Sequence, residues 1–120
     1  MNLIFYDKNG KAVAYTVDDN IFLFNGKPVA YIANNFNNPV YTFSGRQLGW
    51  VDNGWIIDLS GCYAFFTNES IGGPNKPLRQ LTPIRSVRQL LPIKNLRSIQ
   101  KIKPIKKMLW SSHSDESFFQ

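Results

Sequence analysis

Alternating apolar and polar positions over the first 70 residues predict short β-strands joined by glycine turns. The turn glycines stand at positions 10, 26, 45 and 61, and each follows an Asn or a Ser. Asn-Gly between two alternating runs is a strong hairpin signal, because both turn residues need positive φ. The sequence therefore predicts four hairpins, with strands near residues 2–6, 11–17, 21–24, 27–33, 39–43, 46–51, 55–59 and 62–67.

The strand that leaves each turn repeats one order of side chains. Apolar residues stand three and five positions after the glycine, namely Val13, Val29, Leu48 and Ala64, then Tyr15, Tyr31, Trp50 and Phe66. Period two places both sets on one face, which we predict to be the core face. The position between them is small at Ala14, Ala30 and Gly49 and large only at Phe65, which predicts close approach on the second face. The predicted fold is mainly β, with four antiparallel hairpins around a pseudo-fourfold axis or in a curled meander, the symmetry being expected within one chain.

The same turns carry a resemblance to a known family. The runs are Ile4-Phe5-Tyr6-Asp7-Lys8-Asn9-Gly10-Lys11, Phe24-Asn25-Gly26-Lys27-Pro28-Val29-Ala30-Tyr31 and Phe43-Ser44-Gly45-Arg46-Gln47-Leu48-Gly49-Trp50. With Gly72-Gly73-Pro74 and the segment after it, they resemble the bacterial 4-fold beta flower domain family over residues 1–110. The resemblance implies the fold, and it carries over no catalytic or binding residue.

A three-residue repeat replaces the alternating pattern after this point. Apolar residues recur at every third position from Leu78 to Met108, usually followed by a basic residue and often preceded by Pro. A continuous helix fits poorly, because a strict period of three drifts around it and each internal Pro costs ~3 kcal/mol. Polyproline II and a chain of short helical turns, such as 83–90 and 93–102, both remain open.

The length of this repeat constrains its path. A straight polyproline segment over residues 78–108 would span ~95 Å, whereas a 70-residue domain has a radius of gyration of only ~11 Å. The segment must therefore bend, wrap around the hairpins, or bury its apolar edge against a partner or a second copy. The residues predicted to pack or assemble are Leu78, Leu81, Ile84, Val87, Leu90, Ile93, Leu96, Ile99, Ile102 and Ile105.

Charge divides the chain at the same place. The formal net charge is +6, but residues 71–110 hold ten basic residues and no acidic one. The candidate anion-binding residues are Lys76, Arg79, Arg85, Arg88, Lys94, Arg97, Lys101, Lys103, Lys106 and Lys107. Such a segment attracts nucleic acid or an anionic membrane surface. The alternative is that these residues form the solvated edge of a segment whose aliphatic edge packs.

The sequence shows no sign of catalytic or cofactor chemistry. A single Cys, Cys62, and a single His, His113, make neither a disulfide nor a His-based metal site. Ser, His and Asp neighbours around His113 are not a triad, because a triad is assembled in space. Asp52 and Asp58 fall at strand ends or turns, where Asp is common. We therefore predict a non-enzyme with no catalytic residue, metal or cofactor.

These observations predict three segments. They are a four-hairpin β domain at 1–71, a basic and aliphatic triplet segment at 72–110 that packs on the domain or a partner, and a disordered polar tail at 111–120. No signal peptide or apolar span is visible, so the cytoplasm is the expected compartment. The predicted function is a structural or interaction module that self-associates or docks its triplet segment. The alternative is a polyanion-binding module acting through residues 76–107.

Overall fold

The computed structural model describes residues 2–120, and Met1, which the predicted hairpin domain includes, lies outside them. The described residues contain one sheet whose eight strands pair antiparallel in chain order. The strands are β1 (Ile4–Tyr6), β2 (Ala12–Val17), β3 (Asn20–Leu23), β4 (Pro28–Ile32), β5 (Pro39–Tyr41), β6 (Gln47–Asp52), β7 (Trp55–Asp58) and β8 (Tyr63–Phe65). A 3-10 helix follows at Glu116–Phe119. The prediction of a mainly β fold with four hairpins is confirmed.

The sheet closes almost completely on itself. The backbone N–H of Tyr6 donates to the carbonyl of Phe66 at 2.8 Å, and the N–H of Phe66 donates back to Tyr6 at 2.9 Å. This bridge joins β1 to the residue after β8, so the first and last strands lose the free edges that an open meander would have. The hairpins are thereby arranged around one axis within a single chain.

The glycine turns differ in one detail from the prediction. Only the glycine of each Asn-Gly or Ser-Gly pair has positive φ, for example +92° at Gly26, while Asn25 is not among the positive-φ residues. The N–H of Gly26 donates to the carbonyl of Leu23, and the N–H of Leu23 donates to Lys27. This is the pattern of a four-residue turn with a glycine bulge, and each of the four hairpins has a register shift beside its turn.

The prediction of the core face was wrong for the aromatic set. The small positions pair across the hairpins with bulky partners, as in the pairs Phe5 with Ala14, Ile21 with Ala30, and Val40 with Gly49. Ala14 and Ala30 belong to the central cluster, to which strands from all four hairpins contribute. The axis has room for about one large side chain per hairpin, so a bulky residue on one strand requires a small one opposite.

Tyr15, Tyr31, Trp50 and Phe66 are buried, but they point to the other face of the sheet. Tyr31 and Trp50 belong to separate clusters away from the axis. What buries this outer face is the segment that follows the hairpins. The molecule therefore has a central core around the axis and an aromatic layer outside the sheet.

Residues 111–120 are not the disordered tail that the sequence predicted. Phe118 and Phe119 are buried in the central cluster, and Phe119 stacks on Phe65 with ring centroids 5.5 Å apart. The Ser114 hydroxyl donates to the carbonyl of Ala64 and accepts from the N–H of Lys8. The stretch from 111 to 117 is mostly polar, but two adjacent phenylalanines follow it. Their burial stabilises the fold by about 1.5–3 kcal/mol each.

Residues 76–109, hereafter the belt, form neither helix nor strand. The helical-turn alternative is thus wrong for this segment, and a path with three residues per turn fits it. At ~3.1 Å per residue the belt is ~100 Å long. That length is close to the ~110 Å circumference of a disc as wide as this molecule, which measures 36 × 36 × 23 Å. Of the paths that the sequence left open, the belt takes the one that wraps once around its own hairpins.

Candidate functional site

The belt crosses the four hairpin turns at intervals of nine residues. Its backbone N–H groups donate to the carbonyls of the four turn glycines, with Gln80 bound to Gly10, Gln89 to Gly26, Ser98 to Gly45 and Lys107 to Gly61, at 2.8–3.0 Å. The belt backbone also lies against these glycines: a Cβ on Gly26 would stand 2.1 Å from the carbonyl oxygen of Val87. Three triplets therefore span one hairpin, and the turn glycines are the points of attachment.

The residue before each outward aliphatic side chain turns its backbone nitrogen toward the hairpins. Besides the N–H groups that reach the glycines, Ser86 donates to the carbonyl of Phe24 and Asn95 to that of Phe43. Lys101 donates to the side-chain oxygen of Gln47 at 2.8 Å. The prolines of the belt occupy this same position in their triplets, namely Pro77, Pro83, Pro92 and Pro104. Proline has no N–H, so it fits at the triplets whose inward nitrogen has no acceptor to bind. Because proline is confined to this one position of the triplet, the sequence distances between the prolines are multiples of three.

Basic side chains of the belt lie over the aromatic layer. The Arg85 guanidinium is 3.8 Å from the ring centroid of Tyr15, and the Lys94 ammonium is 4.4 Å from that of Tyr31. The other such pairs are Lys76 on Trp55, Arg79 on Tyr6, Arg88 on Phe22 and Arg97 on Tyr41, at 5.4–5.9 Å. Cation–π attraction contributes roughly 0.5–1 kcal/mol at each such exposed site. The nine-residue interval recurs here, because residues 79, 88 and 97 meet rings four positions before a turn glycine, and residues 85 and 94 meet rings five positions after one. Lys76 departs from this order, since Trp55 stands at a different position of the fourth hairpin.

The last two basic residues of the belt edge that faces the rings contact a carboxylate at the end of β6, in the third hairpin, instead of an aromatic ring. Lys103 and Lys106 both bond to Asp52, the latter at 3.2 Å. Burial of the Asp52 carboxyl opposes its ionisation. The hydrogen bonds and the charges of the two lysines outweigh that effect, and the pKa of Asp52 lies below its ordinary value.

On the hairpins themselves, the contacts are made by the candidate anion-binding residues and not by the aliphatic side chains, so packing of the aliphatic edge on its own domain is not observed. Of the candidate anion-binding residues, those over rings and those on Asp52 bind the hairpins through their side chains, while Lys101 and Lys107 bind through backbone N–H groups. All of them remain at the surface, and only Lys103 is half-buried. The predicted packing residues make no such inward contact.

The ten predicted packing residues, hereafter the aliphatic row, point into solvent. Leu78, Leu81, Ile84, Val87, Leu90, Ile93, Leu96, Ile99, Ile102 and Ile105 are 88–97% exposed. Full burial of such side chains is worth about 1.5–3 kcal/mol each, which corresponds to roughly 600–1,200 Å² for the row at ~25 cal/mol per Å². The ten side chains follow the belt around the molecule, and exposed apolar area of this kind marks surfaces that bind a partner. The aliphatic row is therefore the candidate interaction surface.

Trp55 joins the two ends of the belt, a role that sequence reasoning missed. Lys76 at the start of the belt lies 5.9 Å from the Trp55 ring, and Trp110, directly after its end, packs against the same ring at 5.5 Å. The Trp55 indole donates to the carbonyl of Ile71, and a Cβ on Gly73 would stand 2.6 Å from the ring. The sequence offers one signal for this role: of the four incoming strands, only that of the fourth hairpin carries a Trp.

The side chains around His113 and at Asp58 make hydrogen bonds within their own turns. The Ser117 hydroxyl donates to Asp115, and His113 lies 3.1 Å from the same hydroxyl, which is not the arrangement that activates a serine. Burial opposes the ionisation of Asp58, but hydrogen bonds from the side chains of Ser111 and Ser60 and from the N–H groups of Cys62 and Ser60 outweigh it, so the pKa of Asp58 is lowered. Among residues 2–120, no group of three His, Cys, Asp or Glu side chains could hold a metal ion. Within that same range, no helix is long and apolar enough to cross a membrane.

A comparison with protein-family models decides the family. Residues 4–119 match the model described as 4-fold beta flower protein. The chain belongs to this family. The match includes the hairpins, the belt and the two buried phenylalanines near the C-terminus, so the likeness to other beta flower proteins extends across the whole unit described above. Searches of curated proteins and of solved structures gave no match.

Proposed function

We propose that this beta flower protein is a non-enzymatic interaction module. The hairpins form a rigid scaffold, the belt docks on it, and the aliphatic row binds a partner. The observation that carries the proposal is the 88–97% exposure of ten aliphatic side chains on a backbone that is fixed at every hairpin. Preorganised apolar side chains lose little conformational entropy when a partner covers them, which favours binding.

Two features support a binding role over a purely structural one. Contacts with the hairpins require a three-residue order only for the inward backbone nitrogens and for the basic side chains. The outward side chains make no contact with the hairpins that would need Leu, Ile or Val. Polar residues there would hold the belt equally well and would avoid an aggregation hazard. An apolar residue at each outward position is therefore explained by a surface that is covered in use.

Self-association tests this proposal directly. In the absence of another partner, the aliphatic row is expected to bury itself against other copies of the chain. Sedimentation velocity over a range of protein concentrations should show association that a variant with Ser at all ten positions of the row lacks. Because these side chains have no inward contacts, the variant should keep the urea midpoint of the wild type. A wild-type protein that stays monomeric and binds no apolar dye at any concentration would contradict the proposal.

A polyanion-binding module is the second candidate, and the absence of acidic residues from positions 71–110 favours it. The guanidinium groups that lie over rings keep edge N–H groups that are able to reach phosphate. Fluorescence anisotropy of a labelled random oligonucleotide, repeated from low to high salt, tests this function. Tight binding that falls steeply with salt supports nucleic-acid binding. No binding at low salt excludes it.

A further inference from the structure

We propose that the surface recognised by the aliphatic row is an anionic lipid membrane, which the protein meets along one arc of its rim. This inference rests on the proposed function, because it names the partner of the same row. It begins from the distribution of charge beside the exposed aliphatic side chains.

Each quarter of the belt combines the same two kinds of side chain. The quarter at residues 85–93 presents Val87, Leu90 and Ile93 outward, 88–94% exposed, and carries Arg85 and Arg88 beside them. The quarters at residues 76–84 and 94–102 repeat this combination, whereas the last quarter holds only Ile105 of the row and its Lys103 and Lys106 are bonded to Asp52. No acidic residue stands anywhere in the belt. Apolar side chains between basic ones are the features by which peripheral proteins bind anionic lipid surfaces, with the aliphatic groups between headgroups and the cations at the phosphates.

Charge and shape both favour a membrane over a second copy, so self-association through the row is expected only where no lipid surface is present. Two rims that meet would bring together the basic residues of both copies, with few carboxylates to offset them. Asp52 is already bonded to Lys103 and Lys106, and Asp19 lines a cleft with Lys94 and Arg97 of its own chain. Two convex rims also touch along a shorter arc than one rim against a nearly flat membrane. An anionic surface offers charge complementarity as well as the longer contact.

The fourfold arrangement makes a quantitative prediction. If one arc suffices, the three arcs with three aliphatic side chains each are interchangeable, and loss of one arc removes only about a third of the binding-competent orientations. The variant V87S/L90S/I93S should therefore lower the association constant for anionic vesicles by less than twofold. The variant with Ser at all ten positions of the aliphatic row should lower it by at least tenfold.

Flotation of the full-length protein with vesicles tests this inference. Vesicles of phosphatidylcholine alone are compared with vesicles of equal parts phosphatidylcholine and phosphatidylglycerol, for the wild type and both variants. Binding to the anionic vesicles only, weakened by salt and lost in the ten-position variant, is the expected result. Equal binding to the neutral vesicles, no binding to either, or undiminished binding of the ten-position variant would overturn it. If vesicles are not bound but sedimentation shows association that depends on the row, this inference fails while the proposed function stands.

Discussion

Adding a methyl group at Gly26 should detach one quarter of the belt. The Cβ of Gly26→Ala would lie 2.1 Å from the carbonyl oxygen of Val87, on a backbone with φ of +92°. Backbone atoms of a fixed segment do not yield by the required ångström, so the belt has to lift from the turn.

The magnitude follows from the contacts that this lifting breaks. Two backbone hydrogen bonds, from Gln89 to Gly26 and from Ser86 to Phe24, contribute roughly 0.5–1.5 kcal/mol each. The two cations over rings, Arg85 and Arg88, contribute roughly 0.5–1 kcal/mol each. Together they amount to about 2–5 kcal/mol, in addition to the strain of a non-glycine residue at positive φ, which is about 1–2 kcal/mol.

The chain supplies a matched control at Gly72. Its φ is +70°, so alanine there is strained as well, but a Cβ would meet nothing within 4 Å. The difference between Gly26→Ala and Gly72→Ala therefore isolates the contact with the belt. Urea unfolding followed by tryptophan fluorescence gives both free energies, and limited trypsin digestion reports whether cleavage after Arg85 and Arg88 becomes faster in Gly26→Ala only. Free energies of unfolding that agree within about 0.5 kcal/mol, with unchanged cleavage, would refute the reasoning.

Three further changes test other parts of the structure. Trp55→Ala should lower the free energy of unfolding by about 3–5 kcal/mol, because both ends of the belt lose the ring they share; urea titration measures this, and a loss below about 1 kcal/mol would argue against a shared anchor. Phe119→Ala should cost a similar ~3–5 kcal/mol in the same titration, whereas a disordered tail would give no change. The pKa of Asp52 is lowered in the folded state, so its ionised form contributes stability that is complete above the ordinary carboxyl pKa and is lost as pH falls through the folded value. Below pH about 4 the wild type should therefore lose urea resistance more steeply than Asp52→Asn, and parallel pH profiles would contradict the lysine pairing.

The hairpins could be predicted because their signal is local. A glycine with positive φ between two alternating runs fixes a turn whatever surrounds it, and the four copies agree with the four hairpins observed. The three-residue period of the belt was equally visible. Its nine-residue relation to the hairpins was not, because the glycines are 16, 19 and 16 residues apart in the sequence and the match exists only in space.

The orientation of the belt could not be predicted from hydropathy. Hydropathy places Leu90 against the hairpins and Arg88 away from them, whereas in the structure Leu90 is 94% exposed and the Arg88 guanidinium lies over the Phe22 ring while staying at the surface. Two features of the fold decide this: the turn carbonyls require donors from one edge of the belt, and the aromatic layer attracts cations along the next edge. With three residues per turn, only the aliphatic edge remains for solvent. The prediction for residues 111–120 was wrong for a simpler reason, since two adjacent phenylalanines stand at the end of a polar stretch.

The central claim is that the belt holds its basic edge against the aromatic layer and leaves its aliphatic row in solvent. Methyl NMR with a soluble paramagnetic agent tests this most directly, at a protein concentration low enough to keep the chain monomeric. The methyl groups of the row should relax strongly, those of Ile21 and Ile56 in the central core should not, and Arg85 should show contacts to the Tyr15 ring. Protected methyl groups in the row, with contacts from Val87 or Leu90 to the aromatic rings instead, would contradict the account.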